Sequence, residues 1–249
     1  MTIPSAPTPL PAPLADRDVV IIGGGSGIGL EVARRAVASG ARVVIGGRSA
    51  GKLEEAAKSL GEQVRWGVVD TTDQDSLAAF FDSIDRIDHL FTPAASYQVG
   101  PMRELTDSEA ESPFVSKFWG QYHAVKHATA KLTSHASVVL MSGAASVRPP
   151  AAAPAYVACN AAIEGLGRGL AVELAPVRVN VVSPGTIDGN LWAQRPAHIR
   201  QASFAQYERD ALLRRPGTES EIADAVLFLF TNTFMTGSTL YPDGGYALR

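Results

Sequence analysis

Five glycines fall within seven residues at Gly23-Gly24-Gly25-Ser26-Gly27-Ile28-Gly29. An apolar run over 19–22 leads in, and apolar residues at helical spacing (Leu30, Val32, Ala33, Ala36, Val37) lead out. A strand, a tight glycine turn and a helix start in that order suit a dinucleotide. Glycines let backbone amides approach a diphosphate, and a helix N-terminus favours negative charge. Gly23, Gly25, Ser26, Gly27, Ile28 and Gly29 are therefore candidate diphosphate contacts. The next apolar strand ends in Gly46-Gly47-Arg48-Ser49. An acidic residue there would accept from the adenosine ribose. Arg48, with Ser49 beside it, offers charge-assisted bonds to a 2'-phosphate instead, which favours NADP over NAD. Asp70 follows the third strand beside Thr71. It suits either an adenine contact or a cap on the turn through Thr71 and Thr72.

Other reactive side chains carry less. Cys159 is the sole cysteine and sits in a small-residue helix, which reads as a buried thiol. His123 and His127 share a helix face, but no nearby acid or further ligand completes a metal site, so none is expected. His89 and His135 adjoin strands and read as their ends. His198 lies in a polar segment near the expected substrate side.

The elements that must position these groups alternate along 249 residues. Strands are expected near 18–22, 41–45, 64–69, 89–91, 137–141, 177–182 and 239–241. Helices fall between them at 28–39, 51–60, 76–83, 108–133, 154–174 and 219–230. The pattern predicts an α/β fold: a Rossmann-type doubly wound parallel sheet of about seven strands with helices on both faces. Residues 16–249 read as one domain. Residues 1–15 hold five prolines and read as an extended leader. Residues 186–217 interrupt the rhythm with Trp192, Pro196 and Pro216, and read as a substrate lid. Trp192 is the foremost substrate-contact candidate there. Trp119, Tyr122, Phe204 and Tyr207 either line the pocket or pack the lid and subunits.

Net charge is −3, so no strong basic field attracts nucleic acid. One cysteine excludes a disulfide scaffold within a monomer. No apolar run is long enough for a membrane span, and the first fifteen residues lack an export pattern, so a cytoplasmic protein is expected.

From Asp16 to Arg249 the chain resembles the short-chain dehydrogenase/reductase family. The glycine turn matches the family's coenzyme motif, with Ile22 in place of the usual Thr. Asp70 falls where the family contacts adenine. Pro184, Gly185, Thr186 and Ile187 resemble the segment beside nicotinamide, and Leu240 to Gly245 resembles the terminal strand and its Asp-Gly-Gly turn. The family's Asn-Asn-Ala-Gly turn is replaced by Thr92-Pro93-Ala94-Ala95, which puts Ala94 and Ala95 at the cofactor. The resemblance implies a carbonyl or alcohol substrate. It also implies a homodimer or homotetramer paired through the helices led by Phe114 and Pro154.

The catalytic positions depart from the family. Tyr156 stands in place, but Asn160 occupies the Lys position, Gly143 the Ser position and Lys117 the Asn position. Reduction of a carbonyl develops charge on oxygen and needs a proton donor. A phenol with a reference pKa near 10 needs a neighbouring cation to serve at neutral pH. Asn160 cannot supply it. We expect an exchange: the Lys117 ammonium lies near the Tyr156 hydroxyl while Asn160 bonds the nicotinamide ribose. Ser142, if turned inward by a local twist, or Ser146 on the following loop would replace the hydroxyl lost at Gly143. The leading expectation is an NADP-dependent oxidoreductase. The alternative is a sensor or structural subunit that holds NADP(H) with weak turnover or none.

Overall fold

Strand β1 (Asp18–Ile22) is apolar on both faces because both are covered: Val19 and Ile21 point to one hydrophobic cluster, Val20 and Ile22 to the other. The computed structural model describes residues 13–248. After β1 come α1 (Gly27–Ala38), β2 (Arg42–Gly47), α2 (Ala50–Leu60), β3 (Arg65–Val68), α3 (Gln74–Asp82) and β4 (Ile87–Thr92). Then follow α4 (Asp107–Pro113), a π-helical segment (Phe114–Trp119), α5 (Gly120–Ala128) and β5 (Leu132–Met141). The chain closes with α6 (Pro154–Glu173), β6 (Arg178–Val182), β7 (Ile187–Asp188), α7 (Asn190–Ala193), α8 (Ala197–Asp210), β8 (Gly217–Thr218), α9 (Glu219–Thr231) and β9 (Thr239–Leu240).

Seven strands form one parallel sheet in the order β3-β2-β1-β4-β5-β6-β9. Helices α1, α2 and α9 bury Val32, Leu53, Ile222 and Val226 on one face. Helices α3, α5 and α6 bury Leu77, Phe80, Ala124 and Ile163 on the other. The order reverses between β1 and β4, which opens a crevice at the strands' carboxyl ends.

Three sequence expectations change. Leu14, placed in the leader, is buried in the first cluster, and its N–H donates to Ser39 O at 3.0 Å. The rest of the leader, residues 1–12, lies outside the described residues. The single helix expected over 108–133 is four segments, the last a 3-10 turn at Thr129–Lys131, and β5 begins at Leu132. Pro113 has no N–H to continue the ladder. The Ser112 hydroxyl donates to Glu109 O at 2.7 Å instead, and the helix widens into its π-turn just beyond. His89 lies inside β4 rather than at its end. It stacks on Phe230 at 4.7 Å, and burial pushes its imidazole down to about 4. The segment 186–217 is largely helical, with α7 and α8 between the paired strands β7 and β8. Among the described residues no helix is long and apolar enough to cross a membrane, and no cluster of three or more His, Cys, Asp or Glu could hold a metal.

Candidate active site

The crevice above β1 and β4 is a cleft of about 1300 Å³. Its floor begins where β1 turns into α1. Gly23 has φ +104°, and a Cβ there would meet Ala94 N at 2.9 Å, so only glycine lets the β4 loop pass. A Cβ at Gly29 would fall 2.1 Å from Gly23 O, so a bare helix packs directly on the turn. Ser26 precedes α1 without a capping side-chain bond, and the first turn holds no acid. The leading N–H groups of α1 thus face the cleft uncapped, which fits a diphosphate.

Gly23, Gly25, Ser26, Gly27, Ile28 and Gly29 line this end, and Arg48, Ser49, Lys52, Asp70 and Thr71 line the far wall. Asp70 does cap its turn. Its Oδ1 accepts from the Thr72 amide at 2.9 Å and hydroxyl at 2.7 Å, and these bonds, with Arg48 nearby, hold the carboxyl below its ordinary value. Ala94 and Ala95 from the β4 loop and Pro184, Gly185 and Ile187 after β6 complete the cofactor-side wall. The segment carrying α7 reaches across it. Asn190 Nδ2 donates to Ser26 Oγ at 3.3 Å, and Asn190 N donates to Glu219 Oε1 at 2.6 Å.

The chemistry converges where α6, β5 and the π-turn meet. Lys117 is 4% exposed. Its Nζ donates to Ser142 O at 2.9 Å and to Asn160 Oδ1 at 2.5 Å. It lies 5.1 Å from the Tyr156 ring centroid and 5.7 Å from that of Tyr97. Burial pushes the Tyr156 phenol up, but the Lys117 ammonium, the Tyr97 hydroxyl and the nearby Asn160 amide outweigh it, leaving Tyr156 below its ordinary value. That is the sign a proton-transfer group needs near neutrality.

Asn160 stands apart from the other expected contacts. It is fully buried, does not line the cleft, and spends its Oδ1 on Lys117, while its Nδ2 has no partner. Its amide oxygen is turned to the ammonium. Ser142 and Ser146, the two hydroxyls expected to replace the one lost at Gly143, are both drawn elsewhere. Ser142 Oγ donates to Asn160 O at 2.9 Å and Glu164 Oε1 at 3.2 Å, and Ser146 Oγ donates to Glu164 Oε1 at 2.5 Å. A buried carboxylate must recruit donors. Glu164 also takes Ser183 Oγ at 3.1 Å and Tyr241 Oη at 2.8 Å.

Three residues here escape motif reading. Glu164 continues the polar stripe Tyr156, Asn160, Glu164 at four-residue spacing on one face of α6, a signal present in the sequence. Gln121, one helical turn beyond Lys117, is 1% exposed. Its Nε2 donates to Lys117 O at 3.1 Å and Met141 O at 3.0 Å, and its Oε1 accepts from Met141 N at 2.7 Å and Thr92 Oγ1 at 3.1 Å. This amide ties the π-turn to β4 and β5. Tyr97, on the loop after β4, stacks on Tyr156 with centroids 5.0 Å apart.

Trp192 lines the outer cleft, edge-on to Phe204 at 5.6 Å with Arg195 over its ring at 4.9 Å, whereas His198 is exposed and away from the lining. Cys159 is buried and donates to Pro113 O at 3.2 Å, with its thiol pushed up to about 11 by burial, so it is not a nucleophile.

A family model described as enoyl-(acyl carrier protein) reductase matches residues 23–247. The chain is 32% identical over 245 residues to a cis-4-hydroxycyclohexanecarboxylate dehydrogenase of Sinomonas cyclohexanicum, covering 93% of this chain and 97% of that one. It is 31% identical over 240 residues to a galactitol 2-dehydrogenase (L-tagatose-forming) of Cereibacter sphaeroides, covering 92% and 94%. Among solved structures it is similar to a small-chain dehydrogenase in complex with NADPH, with a TM-score of 0.82 and 31% identity over 94% of this chain and all of that one. On its seven-stranded parallel sheet, its glycine turn and these matches along nearly its full length, the chain belongs to the short-chain dehydrogenase/reductase family of oxidoreductases.

Proposed function

We propose that this oxidoreductase moves a hydride between NADP(H) and a carbonyl or alcohol substrate, with Tyr156 as proton donor or acceptor and Lys117 as the cation beside it. The observation that carries the reading is the Lys117 ammonium 5.1 Å from the Tyr156 ring, within a cleft that begins at an uncapped helix start. The bound dinucleotide supplies the hydride. Tyr156 gives its proton to the carbonyl oxygen in reduction and takes it back in oxidation. Lys117 stabilises the phenolate left behind, and Asn160 and Ser142 O fix the ammonium. Gly23, Gly25, Ser26, Gly27, Ile28 and Gly29 would hold the diphosphate. Arg48 and Ser49 would hold the 2'-phosphate, Asp70 and Thr71 the adenine, and Ala94, Ala95, Pro184, Gly185 and Ile187 the nicotinamide half. Relatives named for a hydroxycyclohexanecarboxylate and for galactitol support an alcohol substrate. A homodimer or homotetramer would cover the exposed Val115, Trp119 and Tyr122.

The direct test incubates the purified protein with NADPH and a panel of ketones, aldehydes and quinones, following cofactor oxidation against a Tyr156→Phe control. Turnover lost in the control supports the reading. Tight NADPH binding with no turnover on any member would favour the holding-domain alternative that Gly143 raises.

Cofactor choice is tested separately. Arg48→Ala is expected to weaken NADPH about 10- to 100-fold, the worth of one charge-assisted contact, and to leave NADH nearly unchanged. Fluorescence titration of both nucleotides reads this, and equal losses for the two would remove Arg48 from 2'-phosphate recognition. Glu219 works in the opposite sense. A Cβ at Gly27 would lie 3.3 Å from Glu219 Oε1, so a carboxylate stands against the diphosphate turn. Glu219→Gln keeps an acceptor for the Asn190 amide and removes the charge. NADPH should bind about 3- to 10-fold tighter at low ionic strength, with the gain fading as salt rises. A gain unchanged by salt would argue against a Coulombic cause.

A further inference from the structure

Position 143 is where the site lacks a hydroxyl. A Cβ built on Gly143 would lie 3.2 Å from Tyr156 Oη and 3.5 Å from Asn160 Nδ2, so any side chain there would sit beside the phenol. The two nearby serines do not fill the role, because both hydroxyls are committed to Glu164. The hydroxyl that does stand beside Tyr156 belongs to Tyr97, with the two oxygens 3.5 Å apart.

Tyr97 is held there deliberately from both sides. On one side, Ser96 N donates to Ser116 Oγ at 3.2 Å while Ser116 Oγ donates to Ser96 O at 2.5 Å. On the other, Gln98 N donates to Ser112 Oγ at 2.9 Å. Ser112 and Ser116 lie one turn apart, and Ser116 is the residue before Lys117. The elements that aim the ammonium therefore also clamp the loop carrying Tyr97. Ring stacking at an interplanar angle of 28° fixes the remaining freedom.

The spacing of the two oxygens is informative. At 3.5 Å they are too far apart for a strong mutual hydrogen bond. Two donors at that separation can both reach one acceptor lying about 2.7–2.8 Å from each, above their midpoint. The bare Gly143 leaves room for such an acceptor next to Tyr156.

We propose that the Tyr97 hydroxyl is the second hydrogen-bond donor to the substrate's carbonyl oxygen, replacing from the loop after β4 the hydroxyl that position 143 lacks. The proposal rests on the carbonyl-reduction reading above. Burial holds the Tyr97 phenol well above its ordinary value while Tyr156 lies below its own, so the two phenols divide the work. Tyr97 donates and keeps its proton. The proton that moves leaves Tyr156 Oη and forms the new O–H bond of the alcohol.

The test compares wild type with Tyr97→Phe, Gly143→Ser, Tyr97→Phe/Gly143→Ser and Tyr156→Phe. Phenylalanine keeps the stacked ring and removes only the hydroxyl. Tyr97→Phe should lower kcat about 10- to 100-fold, short of the loss in Tyr156→Phe, with NADPH affinity unchanged. Gly143 has φ −175°, an extended conformation open to serine. In the Tyr97→Phe background, Gly143→Ser should recover at least several-fold of the lost rate, which a merely structural role for Tyr97 would not permit. Independently of turnover, ultraviolet titration of tyrosinate should show Tyr156 ionising at higher pH in Tyr97→Phe, because the phenolate has lost a donor. Wild-type kcat in Tyr97→Phe beside an inactive Tyr156→Phe overturns the Tyr97 proposal alone. Wild-type kcat in Tyr156→Phe overturns the reductase reading itself. No alkaline shift in the tyrosinate titration of Tyr97→Phe overturns the proposal whether or not a substrate is in hand.

Discussion

Lys117→Met is expected to reduce turnover about 10²- to 10⁴-fold, the range that a working acid–base group contributes. Dinucleotide binding should survive, because the glycine turn and Arg48 lie at the other end of the cleft. The cause is electrostatic. Lys117 is the principal influence that offsets the burial of the Tyr156 phenol. Methionine fills the aliphatic volume and removes the charge, so burial prevails and the Tyr156 pKa rises. Alcohol oxidation needs the phenolate, so its pH–rate profile should move to alkaline pH. Carbonyl reduction needs the protonated phenol. It keeps its donor but loses the cation that stabilises the product phenolate, so its rate falls without a compensating acid shift. Stability falls as well. Ser142 O and Asn160 Oδ1 lose their partner, at about 1–3 kcal/mol for each buried acceptor left unpaired. Steady-state rates across pH, read beside thermal unfolding, separate the two effects. A folded Lys117→Met enzyme with wild-type rate and profile would remove the ammonium from the chemistry.

Much of this arrangement is legible in the sequence, and the parts that are not share a physical reason. The glycine turn is read easily because strand, turn and helix are local, and Gly23 and Gly29 answer to steric limits imposed by neighbours in the same crossover. The sheet is read from strands that are apolar on both faces, and the helices from apolar positions at helical spacing. The pairing of Lys117 with Asn160 is inferable only because two residue types stand exchanged against a family pattern. What holds them is long-range. Gln121 closes four hydrogen bonds across two strands and the π-turn, yet in sequence it is one more polar residue on a helix. Ser142 reads as an inward-facing donor because it precedes Gly143. Its hydroxyl instead answers to Glu164, two helical turns beyond Tyr156, whose carboxylate gathers donors from the ends of β5, β6 and β9. Tyr97 is silent in sequence because its position depends on Ser112 and Ser116, whose own role follows from the break at Pro113.

The exchange of Lys and Asn also predicts a large and strongly non-additive effect on stability. Asn160→Lys alone would place a second ammonium at a fully buried position whose present side chain is 2.5 Å from Lys117 Nζ. The nearest carboxylate on that face, Glu164, already accepts from four hydroxyls, so a new cation would have to disrupt that network to find a partner. A buried charge without a proper partner costs about 3–5 kcal/mol, and like charge beside it adds to the cost. Asn160→Lys should therefore unfold at markedly lower denaturant concentration than wild type. Lys117→Asn alone should fold but lose turnover, since no cation remains beside Tyr156. The double variant Lys117→Asn/Asn160→Lys restores one cation and one amide with their places exchanged. It should be more stable than Asn160→Lys alone, with a coupling of about 1–3 kcal/mol between the positions, and should regain turnover that neither single variant shows. Denaturant unfolding of the four proteins measures the coupling, and cofactor oxidation measures the rescue. Additive stabilities with no regained turnover would mean that the phenol depends on the particular path of Lys117 from the π-turn, rather than on the presence of one ammonium beneath the Tyr156 ring.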